Sequence, residues 1–409
     1  MPTDNTFAIV GAGLAGAKAA ETLRQEGFDG RLVLLGAEPE RPYERPPLSK
    51  EYLRGEAERE QPFVHEARFY AEHRIDLRVG ENVVRLDPAR RELALGSGER
   101  LGYDRLLLAT GSAPRRLSIP GGELEGVRYL RTVGDSDALR ARLDAGGRLV
   151  IVGAGWIGCE VAASARQRGV GVTVIAPHSV PFERVLGAEV GAIYRDLHVD
   201  HGVEMLLGTA VTAFEGAGRV ERVRTQDGRT IESDAVVVGV GATPRAMLAA
   251  AAGLAVDNGI LVNERLETSV PGIFAAGDVA NQLHPSLGRL RVEHWDNALQ
   301  QGPAAARSML GSNESYARVP YFFSDQYDVG MEYSGHANDW DRVVFRGDPA
   351  AREFIAFWLR EGHVLVGMNV NVWDVAETIQ AMVGHPVDER RLVDPDVPLE
   401  HVALGEVAS

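Results

Sequence analysis

The same local pattern occurs twice in this chain, and this repeat constrains the fold more than any other feature. The segment TFAIVGAGLAGAKAAETLRQEG joins an apolar stretch, a glycine turn and an alanine-rich stretch, and RLVLLGAE follows it. The same order returns later in GGRLVIVGAGWIGCEVAASARQRGVGVTVIA. A strand, a Gly-x-Gly-x-x-Gly turn, a helix and a second strand form the βαβ unit that binds dinucleotides. The sequence therefore predicts an α/β protein with two Rossmann-like dinucleotide-binding domains.

Each glycine of such a turn has its own role. The first lets the chain turn sharply, the second lets the backbone approach a pyrophosphate, and the third lets the helix pack closely on the strand. The N–H groups at the start of the helix bind the anion. The residues predicted to bind cofactors through these turns are Gly11, Gly13, Leu14, Ala15 and Gly16 in the first copy and Gly153, Gly155, Trp156, Ile157 and Gly158 in the second.

Two dinucleotides on one chain most simply exchange a hydride, with a nicotinamide as donor and a flavin as acceptor. The predicted flavin contacts outside the glycine turn are Ala109, Thr110 and Gly111 after a buried strand, Gly277 and Asp278 at the tip of GIFAA, and Ala37 and Glu38 after the second strand. Asp278 suits a ribitol hydroxyl and Glu38 suits the adenosine ribose. A helix-capping role for Asp278 and a solvated loop position for Glu38 fit the same pattern.

Composition narrows the classes of partner and compartment. At 409 residues the chain is long enough for two or three domains. A formal net charge of -15 disfavours nucleic acid, and no apolar run approaches the ~20 residues of a membrane span. From the polar start, MPTDNT, we expect no secretory signal. The single cysteine, Cys159, excludes an internal disulfide, so we expect a soluble, cytoplasmic protein whose redox chemistry belongs to a cofactor.

The segment PYERPPLSK, residues 42–50, contains three prolines and ends on a lysine. Prolines disfavour a helix and a central strand, so the segment is predicted to be an extended, semi-rigid loop. The chain has only two lysines, Lys18 and Lys50, and every other basic residue apart from histidine is arginine. A lysine retained here indicates a specific role, although a surface position at the end of a loop also fits.

Several motifs occur together and in a fixed order: GAGLAG, PYERPPLSK, ATGSAPR, GAGWIGCE, VVVGVGATPR, IFAAGDVA, RVEHWDNALQQGPAAA and VPYFFSDQYDVG. In this order and spacing the chain resembles the NADH-dependent ferredoxin reductases of bacterial oxygenase systems. The resemblance implies a glutathione-reductase-like architecture. A discontinuous FAD-binding domain would comprise 1–111 and 236–317, an NAD(P)H-binding domain 112–235, and a C-terminal α+β domain 318–409.

The resemblance also implies roles for two charged residues. Lys50 would lie beside flavin N5 and stabilise the negative charge that develops there, and Glu160 would be its counter-charge. A buried ammonium needs such a partner, because desolvation otherwise favours the neutral amine. For Glu160, a first-turn helix acid that interacts with the dipole is the alternative.

Other residues carry over by motif alone. Arg45 would reach the pyrophosphate, Val83 would hold adenine through its backbone, Arg131 would approach the flavin, and Trp295 would line its ring system. The remaining positions placed among the cofactor contacts are Arg184, Gly241, Glu293 and His294. Ordinary packing or surface exposure also accounts for Val83, Arg131 and Trp295.

The chain departs from the family pattern at two positions. NADH-dependent relatives usually have glutamate where this chain has Ala176, and no arginine cluster replaces it, since His178 and Arg184 are the only basic candidates nearby. NADH is therefore the expected donor, with NADPH not excluded. Relatives commonly have tryptophan where this chain has Phe323, which keeps the apolar shape and loses the indole N–H.

The predicted function is hydride transfer from NADH to FAD, followed by single-electron transfer to a small iron–sulfur ferredoxin that supplies an oxygenase. The ferredoxin would form a transient complex, and weak candidates for its docking site, each also consistent with a solvated surface, are Arg289, Arg291, Arg307 and Arg318. Alternatives are an NAD(P)H oxidase, a quinone or monodehydroascorbate reductase, and a redox-sensing flavoprotein resembling apoptosis-inducing factor. The sequence fits a monomer or a homodimer.

Overall fold

The computed structural model describes residues 5–402, which form two compact units. Of these residues, the first unit contains 5–44, 60–113 and 242–320, and the second contains 45–59, 114–241 and 321–402. Residues 1–4 of the polar start and residues 403–409 lie outside the described part of the chain. Between residues 5 and 402, no helix has the length and apolar character needed to cross a bilayer.

The first unit is built on a five-stranded parallel sheet. Its central strands are apolar along most of their length because both faces of the sheet are covered there, as is typical of parallel sheets. Phe7, Ile9 and Leu107 are buried in the resulting core. In spatial order the strands are Ile273–Ala275, Arg105–Leu108, Thr6–Val10, Arg31–Leu35 and Ile75–Arg78.

Smaller elements complete this unit. Two three-stranded sheets comprise Val83–Asp87, Glu92–Leu95 and Arg100–Gly102, and Ile260–Val262, Ala280–His284 and Gly288–Leu290. The helices are Leu14–Gln25, Ala67–Glu72, Met247–Ala251 and Trp295–Met309, with a 3₁₀ turn at Gly277–Val279. Short strands also cover Ser112–Pro114 and Ala242–Pro244.

The second unit repeats the parallel arrangement. The strand that precedes the glycine turn, Arg148–Val152, pairs with the strand that follows its helix on one side and with a later strand on the other. In spatial order the sheet contains Glu204–Leu207, Gly171–Ala176, Arg148–Val152, Ala235–Val238 and Val127–Arg128. The helices are Glu51–Arg54, Val133–Asp144, Trp156–Gln167 and Glu183–Asp200, and a small antiparallel sheet comprises Val211–Glu215, Arg222–Thr225 and Thr230–Glu232.

The same unit contains an antiparallel sheet from the last part of the chain. Its strands are Tyr321–Gln326, Val329–Gly335, His363–Val370, Glu353–Arg360 and Arg342–Asp348 in spatial order. The elements that follow are Ala376–Met382, Glu389–Val393 and the 3₁₀ turn Leu399–His401. The predicted fold class, two Rossmann-like sheets and a C-terminal α+β part, is confirmed.

The prediction of an extended loop for residues 42–50 was wrong at its C-terminal end. Pro46–Ser49 form a 3₁₀ turn, and the helix Glu51–Arg54 follows with Lys50 as its N-cap. Proline disrupts a helix only beyond its first turn, because the missing N–H has no partner at the first positions and a φ near −65° suits them. Pro46 and Pro47 therefore start the turn.

Candidate functional site

The first glycine turn leaves an open space in front of its middle glycine. Gly11 has φ +118°, and a Cβ there would lie 2.0 Å from the carbonyl oxygen of Ala109. A Cβ on Gly16 would lie 2.0 Å from the carbonyl oxygen of Gly11. A Cβ on Gly13, in contrast, would have no heavy atom of the described residues within 4 Å. The outer glycines are therefore required by the fold, and the middle one faces open space.

The second turn has the same geometry. Gly153 has φ +107°, and its Cβ would meet the carbonyl oxygen of Gly239 at 2.3 Å, while a Cβ on Gly158 would meet that of Gly153 at 2.1 Å. Gly155 again faces open space within the described residues. The helices that follow begin at Leu14 and Trp156, and no side chain caps them. Their first N–H groups are thus available to an anion.

Asp278 in the first unit accepts a hydrogen bond from Ser112 Oγ at 2.7 Å. It lies inside the 3₁₀ turn Gly277–Val279, whose N-cap is Ala276, so the turn is not capped by Asp278. The Gly277 N–H donates to Gln301 Oε1 at 2.9 Å. A half-buried carboxylate oriented in this way at the tip of a strand can accept a hydroxyl hydrogen bond.

The other candidates of the first unit lie directly after strands of its parallel sheet or, for Val83, at the start of a strand. Glu38 is half-buried and accepts a hydrogen bond from the Tyr43 hydroxyl. Thr110 Oγ1 donates to the carbonyl of Arg245 at 2.8 Å. Their neighbours are exposed Ala37, buried Ala109, half-buried Gly111 with φ +67°, and half-buried Val83 at the start of its strand.

Trp295 is the first residue of the helix Trp295–Met309, and His294 is its N-cap. Burial raises the pKa of the Glu44 carboxyl, while a hydrogen bond from Trp295 and the nearby Lys18 ammonium act in the opposite direction. Glu293 forms an ion pair with Arg291. The Trp295 indole and the Glu44 carboxyl, from the segment that precedes Arg45, therefore lie near each other in the first unit.

The second unit contains a buried ion pair. Lys50 Nζ lies 3.0 Å from Glu160 Oε1, and both residues are only 5% exposed. Glu160 also accepts hydrogen bonds from Ser49 Oγ at Oε2 and from Ser324 Oγ at Oε1, the latter at 2.7 Å. The ring centroid of Phe323 lies 5.4 Å from Lys50 Nζ. The carboxylate thus has three donors, two from adjacent residues of the proline-rich segment and one from a distant strand, as a buried charge requires.

The segment that carries Lys50 is fixed at several points. Ser164 Oγ donates to the carbonyl of Ser49 at 2.7 Å, and Ser136 Oγ donates to that of Leu48 at 2.8 Å. Both serines are buried on helices of the second unit. These hydrogen bonds fix the backbone directly before Lys50 and therefore restrict the position of its ammonium group. Near the start of the segment, Arg45 Nη1 donates to the carbonyl of Arg131.

The start of the second glycine helix is packed among aromatic rings. Trp156 stacks on Phe182 with ring centroids 4.1 Å apart and meets Phe322 edge-on at 4.6 Å. Ile157 is 41% exposed. Trp156 therefore has a packing role that sequence analysis did not predict. Gly241, also predicted as a cofactor contact, is exposed with φ +101°.

The carboxyl end of the strand Gly171–Ala176 is apolar. Ala176 ends the strand Gly171–Ala176 and is 2% exposed. The imidazole Nδ1 of His178 lies 3.5 Å from Glu183 Oε2, and Ser179 donates to the same carboxylate through its N–H and its hydroxyl. Arg184 is exposed. The Glu183 carboxylate is thus hydrogen-bonded to Ser179, three residues beyond the end of this strand.

The predicted docking arginines already have intramolecular partners. Arg307 Nε lies 3.1 Å from Glu26 Oε1, and Arg318 Nε lies 2.9 Å from Asp296 Oδ2. Arg291 is paired with Glu293, and Arg289 donates to the carbonyl of Asn281 at 2.8 Å. Their role in docking stays a prediction.

Sequence analysis missed the serines that bind Glu160. Ser324 is separated from Glu160 by 164 residues, so no local spacing connects them. One signal was present: Phe322, Ser324 and Gln326 alternate along a strand and are all buried. Polar residues on the apolar face of a strand indicate a buried hydrogen-bond network.

Comparison with known proteins gives the family. The model of the pyridine nucleotide-disulphide oxidoreductases matches residues 5–302, and that of the reductase C-terminal domain matches 321–403. The chain belongs to the pyridine nucleotide-disulphide oxidoreductase family. Despite the family name, the sequence has a single cysteine, Cys159, whose burial raises the pKa of its thiol.

Individual relatives confirm the resemblance to ferredoxin reductases of oxygenase systems. The chain is 41% identical to rhodocoxin reductase of Rhodococcus erythropolis, over 86% of this chain and 83% of the relative. It is 37% identical to the benzene 1,2-dioxygenase system ferredoxin–NAD(+) reductase subunit of Pseudomonas putida, over 96% and 94%. The reductase in the covalent putidaredoxin reductase–putidaredoxin complex has a TM-score of 0.94 and 37% identity, over 97% of this chain and 98% of that chain.

Alanine should have different effects at the last and at the middle glycine of the second turn. Gly158→Ala places a methyl group against a backbone oxygen, so we expect a loss of about 1–3 kcal/mol of stability, measured as a lower Tm. Gly155 has φ −92°, which alanine adopts, so Gly155→Ala should keep the Tm. Its methyl enters the open space and should raise the KM for NADH about tenfold, which is ~1.4 kcal/mol of binding. A lowered Tm with an unchanged KM in Gly155→Ala would contradict the assignment.

Proposed function

We propose that this protein is an FAD-dependent NAD(P)H:ferredoxin reductase that supplies electrons to an oxygenase. The proposal rests on the full-length likeness to reductases of oxygenase systems, together with two glycine turns of the same geometry. The first turn and its unit would hold FAD, and the second turn would hold the nicotinamide nucleotide.

The residues of both turns fit a pyrophosphate. In each turn a Cβ on the middle glycine would enter a space that the described residues leave clear, and an uncapped helix begins directly after it. Backbone N–H groups and the helix dipole bind anions at such positions. In the first unit, the Asp278 carboxylate, oriented by Ser112, would accept a ribitol hydroxyl.

Bound FAD supplies the ability to accept a hydride from a nicotinamide and to release the electrons one at a time. Lys50 supplies a positive charge in a fixed position, which stabilises negative charge without reorganisation. Glu160 supplies the counter-charge that a buried ammonium requires. A lysine suits this role because a compact ammonium is a point charge, whereas the arginine fork is broad and planar.

The composition favours an external electron acceptor. Because Cys159 is the only cysteine in the sequence, an internal disulfide cannot receive the electrons. A small iron–sulfur ferredoxin is the proposed acceptor and would form a transient complex. Its docking residues, with Arg289, Arg291, Arg307 and Arg318 as candidates, stay a proposal.

The remaining sequence predictions are retained as proposals. The proposed domains are an FAD-binding domain of residues 1–111 and 236–317, an NAD(P)H-binding domain of 112–235 and a C-terminal domain of 318–409. The roles of the cofactor-binding residues and a cytoplasmic location are proposed as well. NADH is the proposed donor, and the Glu183 carboxylate near the Ala176 strand end supports it, since a negative charge there repels a 2′-phosphate.

Turnover with defined acceptors tests the proposed function. With NADH as donor and FAD bound, we expect kcat/KM for a [2Fe–2S] ferredoxin of an oxygenase system to exceed that for oxygen and for a soluble quinone, each by about a hundredfold or more, which is ~2.7 kcal/mol of transition-state preference. Faster turnover with oxygen or quinone would instead support an oxidase or a quinone reductase. Very slow reduction by NADH with a long-lived charge-transfer band would support a redox-sensing role.

A charge at position 176 should change the preference between NADH and NADPH. In Ala176→Glu we expect the ratio of kcat/KM for NADH to that for NADPH to rise about tenfold, because a second carboxylate repels the 2′-phosphate. Ala176→Gln is the matched control, since it adds the same volume at this buried position without the charge. An equal ratio in the two variants would show that the strand end does not face the ribose.

A further inference from the structure

A continuous series of hydrogen bonds leads away from Glu160. Ser324 Oγ lies 2.7 Å from Glu160 Oε1, and Gln326 Nε2 lies 3.3 Å from Ser324 Oγ. His198 Nε2 lies 2.9 Å from Gln326 Oε1, and the Tyr327 hydroxyl lies 3.1 Å from His198 Nδ1. All these residues belong to the second unit.

The chemistry of these groups gives every bond the same direction. Gln326 Oε1 is only an acceptor, so His198 donates through Nε2 and accepts from the Tyr327 hydroxyl through Nδ1. Gln326 Nε2 then donates to Ser324 Oγ, whose single proton points to Glu160. Each donor in the series faces the carboxylate. Hydrogen bonds that point the same way polarise one another, so their combined effect reaches the charged end.

The residues of this hydrogen-bonded series are buried, and its histidine is neutral near pH 7. Ser324, Gln326 and His198 are each no more than 2% exposed. Burial lowers the pKa of His198 to about 4, while its hydrogen bond to Gln326 acts in the opposite direction. A neutral imidazole has one donor and one acceptor nitrogen, which is what this position in the series requires.

The charged and titratable groups around Glu160 come from several elements. Lys50, on the proline-rich segment, is its partner. Cys159 on the same helix and Tyr194 on the helix Glu183–Asp200 both have a pKa raised mainly by burial, so they are neutral near pH 7. The pKa of the Asp325 carboxyl is raised mainly by burial of the carboxyl, although the residue as a whole is exposed. The Lys50 ammonium lowers this pKa, and the Glu160 and Glu51 carboxylates raise it further.

We propose that Ser324, Gln326 and His198 are positioning residues that keep Glu160 ionised and directed at Lys50. The inference extends the proposed function and rests on it. Ser324 lies on the antiparallel sheet formed by the last part of the chain. This sheet therefore supplies one of the hydrogen bonds that the Glu160 carboxylate accepts. The series is not a proton path, because an amide such as that of Gln326 does not readily pass a proton on.

Infrared titration tests the proposal without turnover. The protein is labelled with ¹³C-carboxyl glutamate, and the spectrum of Glu160→Gln is subtracted to isolate the Glu160 bands. A hydrogen bond to a charged group contributes about 1.5–3 kcal/mol, and ~1.4 kcal/mol corresponds to one pH unit. In Ser324→Ala we expect the ionised band to disappear at a pH at least about one unit higher than in the unmodified protein. Gln326→Leu should shift it in the same direction by less.

The matched variants separate positioning from general stability. Ser334→Ala removes a buried serine from the neighbouring strand of the same sheet and should leave the Glu160 titration unchanged. Ser324→Thr keeps the hydroxyl and should restore the unmodified titration. If Ser324→Ala lowers the Tm and the band still titrates as in the unmodified protein, the proposal is wrong. Should Ser324→Ala not fold, Gln326→Leu gives the same test.

Flavin reduction provides the functional readout. In stopped-flow mixing with NADH, Ser324→Ala should be about tenfold slower, and the acidic limb of its pH profile should move to higher pH. If the unmodified protein is not reduced by NADH at all, the proposed function fails, and the infrared titration still decides the positioning role. If the unmodified protein is reduced normally and both readouts are unchanged in Ser324→Ala, only the positioning proposal is overturned.

Discussion

The ion pair between Lys50 and Glu160 is the interaction on which the rest of the account depends. Removing two charges from water costs several kcal/mol per ion, and the cost is offset only where geometry and further hydrogen bonds are favourable. A buried ion pair is therefore weak evidence for stability, and its presence indicates a role that a pair of apolar residues could not fill. A fixed cation next to a centre that gains negative charge is such a role.

The surroundings of the pair show how this cost is met. Two serines donate to the carboxylate, and two further serines hold the backbone that carries the lysine. Pro46 and Pro47 begin a short 3₁₀ turn, which gives the segment a fixed conformation before Lys50. The glycine turns are also defined by backbone geometry. Their outer glycines allow a close approach to backbone carbonyl groups, and a Cβ on their middle glycine would face open space. In both places the local conformation is therefore fixed by the backbone.

Sequence patterns predicted the parts of the structure that local residues determine. The two βαβ units follow from apolar strands and glycine spacing, and the model shows both of them. The extended loop was wrong because two adjacent prolines fit the first turn of a helix as well as they fit a loop. The hydrogen bonds from Ser324 and the His198 series depend on contacts between residues far apart in the chain, and only the polar positions on a buried strand face indicated them.

The central claim is that Lys50 and Glu160 act as one unit in hydride transfer. Its most direct test is the stopped-flow rate of flavin reduction by NADH in Lys50→Met, in Glu160→Gln and in the double variant, with Lys18→Met as the control for loss of the other lysine. We expect each single change to slow reduction about a hundredfold or more, the double variant to lose little beyond that, and Lys18→Met to match the unmodified protein. An unchanged rate in Lys50→Met, or losses that multiply in the double variant, would contradict the account.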